Sequence, residues 1–145
     1  MNQDQYRKHQ NAIFPIDLIE MFTDIIESDT VSRKVFIHIG RTLKSQKDSV
    51  DRIHGVTVND IVSNVQVERK ERVTKGKSFI YKPVTTNIDR KAAERIVDKL
   101  LDMSLLYYEE VKPYKFLFMT SRGWQITEAI VKRNKYKKGV ETSNG

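Results

Sequence analysis

Residues 88–123 constrain this chain most, because the spacing of apolar residues changes character twice along them. From Asp89 to about Met103, Ala92, Ala93, Ile96, Val97, Leu100, Leu101 and Ser104 recur at helical spacing, while Arg90, Lys91, Glu94, Arg95, Asp98 and Lys99 fill the opposite side. Asp89 stands where a helix N-cap belongs. Two short apolar runs follow, near Leu106–Val111 and Lys115–Thr120, about a tight turn through Lys112, Pro113, Tyr114 and Lys115. Gly123 then opens another helical stretch. A helix with a basic leading turn that runs straight into a β-hairpin leaves few ways to build the rest of the domain.

Size and composition narrow the class further. A chain of 145 residues is one domain's worth and buries a core without staples. The absence of cysteine excludes disulfides, thiolate metal sites and Cys nucleophiles. No apolar run reaches the roughly 18–20 residues of a membrane span, and the polar N-terminus does not read as a signal peptide, so a cytoplasmic, nucleoid-associated location and no membrane partner are expected. The net charge of +7 is uneven. Residues 1–64 hold 8 Lys/Arg against 9 Asp/Glu, whereas residues 65–145 hold 18 against 10. All of the positive field therefore comes from the C-terminal part, as suits a surface facing a polyanion.

Along the rest of the chain, residues 1–12 and 139–145 read as flexible tails. Pro15 suits the first turn of a helix carrying Ile16, Leu18, Ile19, Phe22, Ile25 and Ile26. Ser32 is placed to cap a second helix with Val35, Phe36, Ile39 and Leu43 on its stripe, to about Lys47, and Ser45–Gly55 reads as a loop. Thr57-Val58-Asn59-Asp60 resembles a capping box opening a short helix to Val65. Between that helix and Asp89 lie 22 residues, Gln66 to Asn87, which read as a possible second hairpin over 66–84 with its tip at Gly76; a disordered basic loop is the alternative.

The order helix, helix, hairpin is that of a winged helix-turn-helix, so the expected fold is mainly α with a small β-hairpin wing (α+β) as a single domain over 1–145. Arg95-Ile96-Val97-Asp98-Lys99-Leu100, with the exit Ser104-Leu105-Leu106, resembles the recognition helix of the multiple-antibiotic-resistance regulator (MarR) family, and Phe118-Met119-Thr120-Ser121-Arg122-Gly123 is similar to that family's passage from wing to closing helix. The likeness covers residues 57–65 and 88–131. It departs in two places: the 22-residue insert stands where the family keeps a short turn, and Ser104 replaces the usual Gly. The resemblance implies a DNA-binding core over 57–120 and pairing through terminal helices, here 14–47 and 123–138.

Candidate DNA-contacting residues follow from that layout. Arg90, Lys91, Glu94 and Arg95 project near the leading end of the 89–103 helix, where Arg can fork onto guanine O6 and N7, and Lys91 and Lys99 suit phosphates. Lys112 and Lys115 flank the wing tip. Residues 66–82 carry Arg69, Lys70, Arg72, Lys75, Lys77 and Lys82 against Glu68 and Glu71, a net +4, and can serve as an arm on the same DNA. The bland alternatives are a solvated helix face, an ordinary turn, and a hairpin that only packs Phe79 and Tyr81 onto the core. Phe14, Ile16, Ile19, Phe22, Ile26 and Ile130 are expected at a homodimer surface; completing a monomer core is the alternative.

Catalysis has little support in the residues. His9, His38 and His54 are scattered with no metal-ligand spacing, Glu109 and Glu110 point to opposite faces of a strand, and the six glycines form no phosphate loop. Trp124 is expected in the core behind the wing. No enzyme, cofactor or metal is expected. The expected role is sequence-specific double-stranded DNA binding as a dimeric transcriptional regulator. A plasmid or phage partition or replication scaffold, and a winged helix used only to dock protein, are the alternatives.

Overall fold

The computed structural model describes residues 1–49 and 54–143, with side chains through 137. In order the elements are α1 (Gln3–Lys8), α2 (Ile16–Glu27), α3 (Thr30–Gln46), α4 (Val58–Asn64), β1 (Gln66–Lys75), β2 (Ser78–Asn87), α5 (Arg90–Asp102), β3 (Leu106–Val111), β4 (Tyr114–Met119) and α6 (Ser121–Ser143). Among the described residues these form an α+β fold of six helices and two antiparallel hairpins, the class expected from the sequence.

The core lies where α3, α4, α5 and α6 meet the β3–β4 hairpin. Phe36, Ile39, Ile61, Ala93, Leu100, Leu105, Leu106, Leu117 and Ile126 are sealed in it. The α5 stripe goes inward as its spacing required, with Ala93, Ile96, Val97, Leu100 and Leu101 all buried. Val56 joins the β3–β4 hairpin by an isolated antiparallel bridge to Leu117, its N–H donating to the Leu117 carbonyl at 3.0 Å and its carbonyl accepting from the Leu117 N–H at 2.8 Å. This gives the hairpin a third strand one residue long, just ahead of α4.

Several boundaries differ from expectation, each for a local reason. Residues 1–12 are not a frayed tail: Asn2 and Gln5 form a reciprocal cap on α1, and Tyr6 is buried against Tyr108 with ring centroids 5.8 Å apart. Pro15 sits just before α2 rather than inside its first turn. Asp29, not Ser32, caps α3, and the Ser32 hydroxyl donates to it. The loop expected from Ser45 starts later; Gln46 is helical, and its amide brackets Gly55 through two hydrogen bonds of 2.8 and 3.0 Å. Residues 50–53 of that loop lie outside the described residues. The Thr57–Asp60 capping box is present.

Asp89 occupies the N-cap of α5, but its carboxylate accepts no hydrogen bond; its carbonyl takes the Ala93 N–H at 2.9 Å instead. Ser104 leaves α5 with φ +58°, the left-handed conformation that favours glycine after a helix, which accounts for glycine being the residue expected there. The final helix begins at Ser121, two residues before Gly123, and its backbone runs to Ser143, so 139–143 continue the helix rather than forming a flexible tail. A Cβ on Gly123 would stand 2.3 Å from the Leu105 carbonyl oxygen and 2.4 Å from Met119 Cγ. Only glycine lets the first turn of α6 lie on the α5–β3 junction.

Arg122 fastens this corner. Its Nε donates to the Ser104 carbonyl at 3.1 Å and to Ser104 Oγ at 3.0 Å, and one terminal nitrogen donates to the His9 and Ala12 carbonyls, both at 2.7 Å. It is buried without a carboxylate partner among the described residues, and burial pulls its pKa down. One guanidinium thus joins the N-terminal segment, the end of α5 and the start of α6.

Candidate nucleic-acid interface

The outer face of α5 divides into two sides. Arg90, Glu94, Val97 and Asp98 line one wall of an open groove of about 490 Å³, whose other walls are the first turn of α4 (Thr57, Asn59) and the wing (Pro113, Tyr114, Lys115). Arg95, Asp98, Lys99 and Asp102 line a shallower depression on the other side, against Ile25 of α2 and Met103. Lys91, Glu94 and Arg95 are exposed, while Lys99 is half-buried on the α2 side. The structure therefore brings Arg90, Glu94 and Lys115 around one groove, and turns Arg95 and Lys99 toward another surface.

Electrostatically the helix face is nearly balanced. Arg90, Lys91, Arg95 and Lys99 stand against Glu94, Asp98 and Asp102, a net +1. Arg90 is already engaged, its Nε on Glu94 at 3.1 Å and a terminal nitrogen on Asn59 Oδ1. Its side chain still remains more than half exposed, so these contacts aim the guanidinium rather than consume it. Arg95 makes a single long contact, Nε to the Lys91 carbonyl at 3.4 Å, and is free to reach outward.

The wing pairs as expected, Val111 facing Tyr114 across a two-residue turn of Lys112 and Pro113. Lys112 is at the exposed tip. Lys115 is not: it faces Glu110 in the ladder, and its ammonium lies 4.0 Å above the Tyr108 ring. That cation–π contact and the register hold Lys115 on the wing's flank, beside the α5 groove.

The insert is a ten-pair antiparallel hairpin from Gln66↔Asn87 to Lys75↔Ser78, three residues longer than the 66–84 expected, with a Gly76-Lys77 turn in which Gly76 has φ +65°. It is rooted by the buried Ile88, whose N–H donates to the Val65 carbonyl at 2.9 Å, and by Lys34 Nζ on the Gln66 carbonyl at 3.2 Å. Arg69, Lys70, Arg72, Lys75 and Lys77 are all exposed along it. Phe79 and Tyr81 do not pack on the core; both are exposed. None of these basic residues lines the α5–wing groove.

The expected dimer residues divide as well. Ile26 and Ile130 are 0% and 1% exposed and belong to the core, because α2 lies directly on α6. Phe14, Ile19 and Phe22 are partly buried against it, with Phe14 and Phe22 stacked at 4.7 Å. Ile16 alone of the set is well exposed, at 80%, in company with Ile13, Met21 and Ile25. Arg133 on α6 ties α2 by ion pairs to Asp24 and Glu27 at 2.8 and 3.6 Å. Trp124 is only partly buried and lines a cleft with Lys44, Tyr107 and Phe118.

Sequence reasoning missed two groups. Asn59 and Tyr114 line the α5 groove; Asn59, polar and unused by the Thr57–Asp60 cap, was the available signal. Arg33, Lys34, His38 and Arg41 on α3 line a separate cationic cleft near Asn64 and Gln66, legible as the polar side of the Val35/Phe36/Ile39 stripe. Burial depresses the His38 pKa, with Asp60 acting weakly the other way, and its Nε2 has no partner. Among the described residues no group of His, Asp or Glu is arranged to hold a metal, and no helix is long and apolar enough to cross a membrane. No protein-family model, curated protein or solved structure matches the chain.

Proposed function

We propose that this protein is a winged helix that binds double-stranded DNA, with α5 entering the major groove and the β3–β4 wing lying on the adjoining backbone. The observation that carries the reading is the pairing of α5 with the wing. The apolar side of α5 packs into the core, and the side of its outer face that carries Arg90 and Glu94 meets the wing and α4 in one groove. An α-helix fits a major groove, and Arg90 and Arg95 are the side chains able to fork onto guanine. Lys91 and Lys112 suit phosphates. The resemblance to MarR regulators and the bridge of Val56 to Leu117 agree with that layout. The role is that of a transcriptional regulator acting by occupying its site, without a covalent step and in the cytoplasm.

Selection of bound sequences from a random duplex pool tests the reading. A recovered motif, bound with an affinity that falls linearly in log salt, is the expected result; no enrichment and no salt-dependent retardation of any duplex would overturn it. A dimer through Ile13, Ile16, Met21 and Ile25 belongs to the same proposal and predicts a roughly palindromic motif. Light scattering that returned the 17.0 kDa monomer at micromolar concentration would refute the pairing. A second reading, a replication or partition scaffold, is favoured by one specific observation: the basic arm projecting beyond the α5–wing unit.

A further inference from the structure

The β1–β2 arm is the least self-sufficient part of the molecule. Ten paired residues per strand reach roughly 33 Å at the usual strand rise, and from Glu68 to Pro83 every residue is exposed. A lone two-stranded ribbon is marginal in water. This one nonetheless displays Val73, Phe79, Ile80 and Tyr81 to solvent on its outer half. Exposed apolar groups grouped at the far end of an arm signify a partner surface.

Register decides which side chains share a face. Arg72 pairs with Tyr81 and Thr74 with Phe79, so Lys70, Arg72, Phe79 and Tyr81 lie together. The Arg72 guanidinium carbon is 3.7 Å from the Phe79 ring centroid. Phe79 meets Tyr81 edge-on, centroids 5.8 Å apart and planes 86° apart. Three flat groups are thus fixed against one another, with Phe79 46% and Tyr81 62% exposed. Lys70 shares this face, Lys77 stands at the turn beside it, and Lys75 and Lys82 lie on the opposite face of the same ribbon, which carries a net +4 over residues 66–82.

The charge and the rings together select the occupant. A second copy of the arm would bring +4 against +4. An intact duplex covers the faces of its bases by stacking and offers only their edges to side chains; here Phe79 and Tyr81 present ring faces, and the Arg72 guanidinium is held against the Phe79 ring. Unpaired bases offer bare π faces, and a basic surface set with aromatic rings is how proteins hold single strands. We propose that the outer half of the arm binds single-stranded nucleic acid, bases stacking on Tyr81 and on the Arg72–Phe79 layer and phosphates meeting Lys70 on that face and Lys77 at the turn. This rests on the duplex reading above and sharpens it: with duplex on α5 and the wing, and an unpaired strand on the arm, the preferred target is a junction where duplex opens.

The full chain is assayed by fluorescence anisotropy on a blunt duplex, the same duplex with a single-stranded tail of about 12 nucleotides at either end, and the tail oligonucleotide alone. The native protein is expected to bind one tailed duplex about tenfold more tightly than the blunt one, a gain the stacking of even one or two bases supplies. The double variant Phe79→Ala/Tyr81→Ala is expected to lose that preference and keep its blunt-duplex affinity, and Tyr81→Phe to restore it. The variant Tyr81→Trp gives a readout independent of arm folding, since an indole that stacks on bases is quenched by the tail oligonucleotide. Equal binding of blunt and tailed duplex by the native protein, or a tail preference surviving in the double variant, overturns the arm proposal and leaves duplex binding standing. Binding of the tail oligonucleotide without any blunt duplex overturns the duplex reading instead, and binding of neither overturns both.

Discussion

Replacing Arg122 with alanine tests how the corner between the N-terminal segment, α5 and α6 is held. The guanidinium makes four hydrogen bonds of 2.7–3.1 Å. Their acceptors are not all stranded when it goes. The Ser104 carbonyl keeps the Thr120 hydroxyl at 2.8 Å, and the His9 carbonyl keeps the Ala12 N–H at 3.1 Å. The cost is therefore the charge-assisted bonds themselves, roughly 1.5–3 kcal/mol each before the desolvation of a buried cation is returned. A net loss of about 3 kcal/mol follows, and Tm should fall by about 10 °C for a domain of this size. Arg122→Lys should lose about two thirds of that, because a single ammonium cannot reach Ser104 and the two N-terminal carbonyls together. Urea unfolding followed by circular dichroism measures the loss, and limited proteolysis should show cleavage within residues 1–12 under native conditions. A loss below about 1 kcal/mol, or an N-terminal segment that stays protected, would refute this account of the corner.

Three further outcomes are expected. Gly123→Ala should prevent stable folding or cost at least about 3 kcal/mol, since its Cβ would enter the Leu105 carbonyl; thermal melts decide it. Arg95→Ala should weaken binding to the selected duplex by about 1–3 kcal/mol while leaving Tm unchanged, as its only hydrogen bond among the described residues is the long one to Lys91. His38 has a folded pKa depressed below its ordinary 6.5 by burial, so the unfolded chain binds its proton more readily. Its share of stability is intact above about pH 6.5 and is lost as pH falls toward and through the depressed value; His38→Gln should flatten unfolding free energy against pH in that window.

How much was legible in the chain depended on whether a signal was local. The α5 stripe, the turns at Gly76 and Pro113 and the Thr57–Asp60 box declare themselves within a few residues of sequence, and the structure holds them with the wing turn narrowed to Lys112-Pro113 and the arm turn to Gly76-Lys77. What escaped was set by distant partners. Residues 1–12 look polar and frayed until Tyr6 finds Tyr108 and Arg122 finds two of their carbonyls. Ile26 and Ile130 read as surface because a helical stripe does not say which neighbour covers it, and here each covers the other's helix. For Phe79 and Tyr81 the residues left an arm and a place on the core as alternatives, and the ten-pair ladder carries both rings away from the core.

The same distinction governs the candidate interface. The positive excess of the C-terminal part suggested a cationic recognition helix, yet on α5 the cations are interleaved with Glu94, Asp98 and Asp102, and the excess resides on the arm and along α6. If α5 enters DNA as proposed, a nearly balanced helix would gain little from nonspecific phosphate attraction, and its arginines would discriminate through geometry, with the Glu94 ion pair aiming Arg90. Under that proposal affinity would come from elsewhere, and the arm, rooted beside the leading end of α5 by the Ile88–Val65 hydrogen bond, is a cationic element placed to supply it. Removing arm charges should therefore reduce the salt slope of binding by about one unit per lost phosphate contact, whereas removing Arg90 or Arg95 should alter which sequence is selected. Slopes that respond to the α5 arginines and not to Lys70, Lys75 or Lys77 would contradict this division of labour.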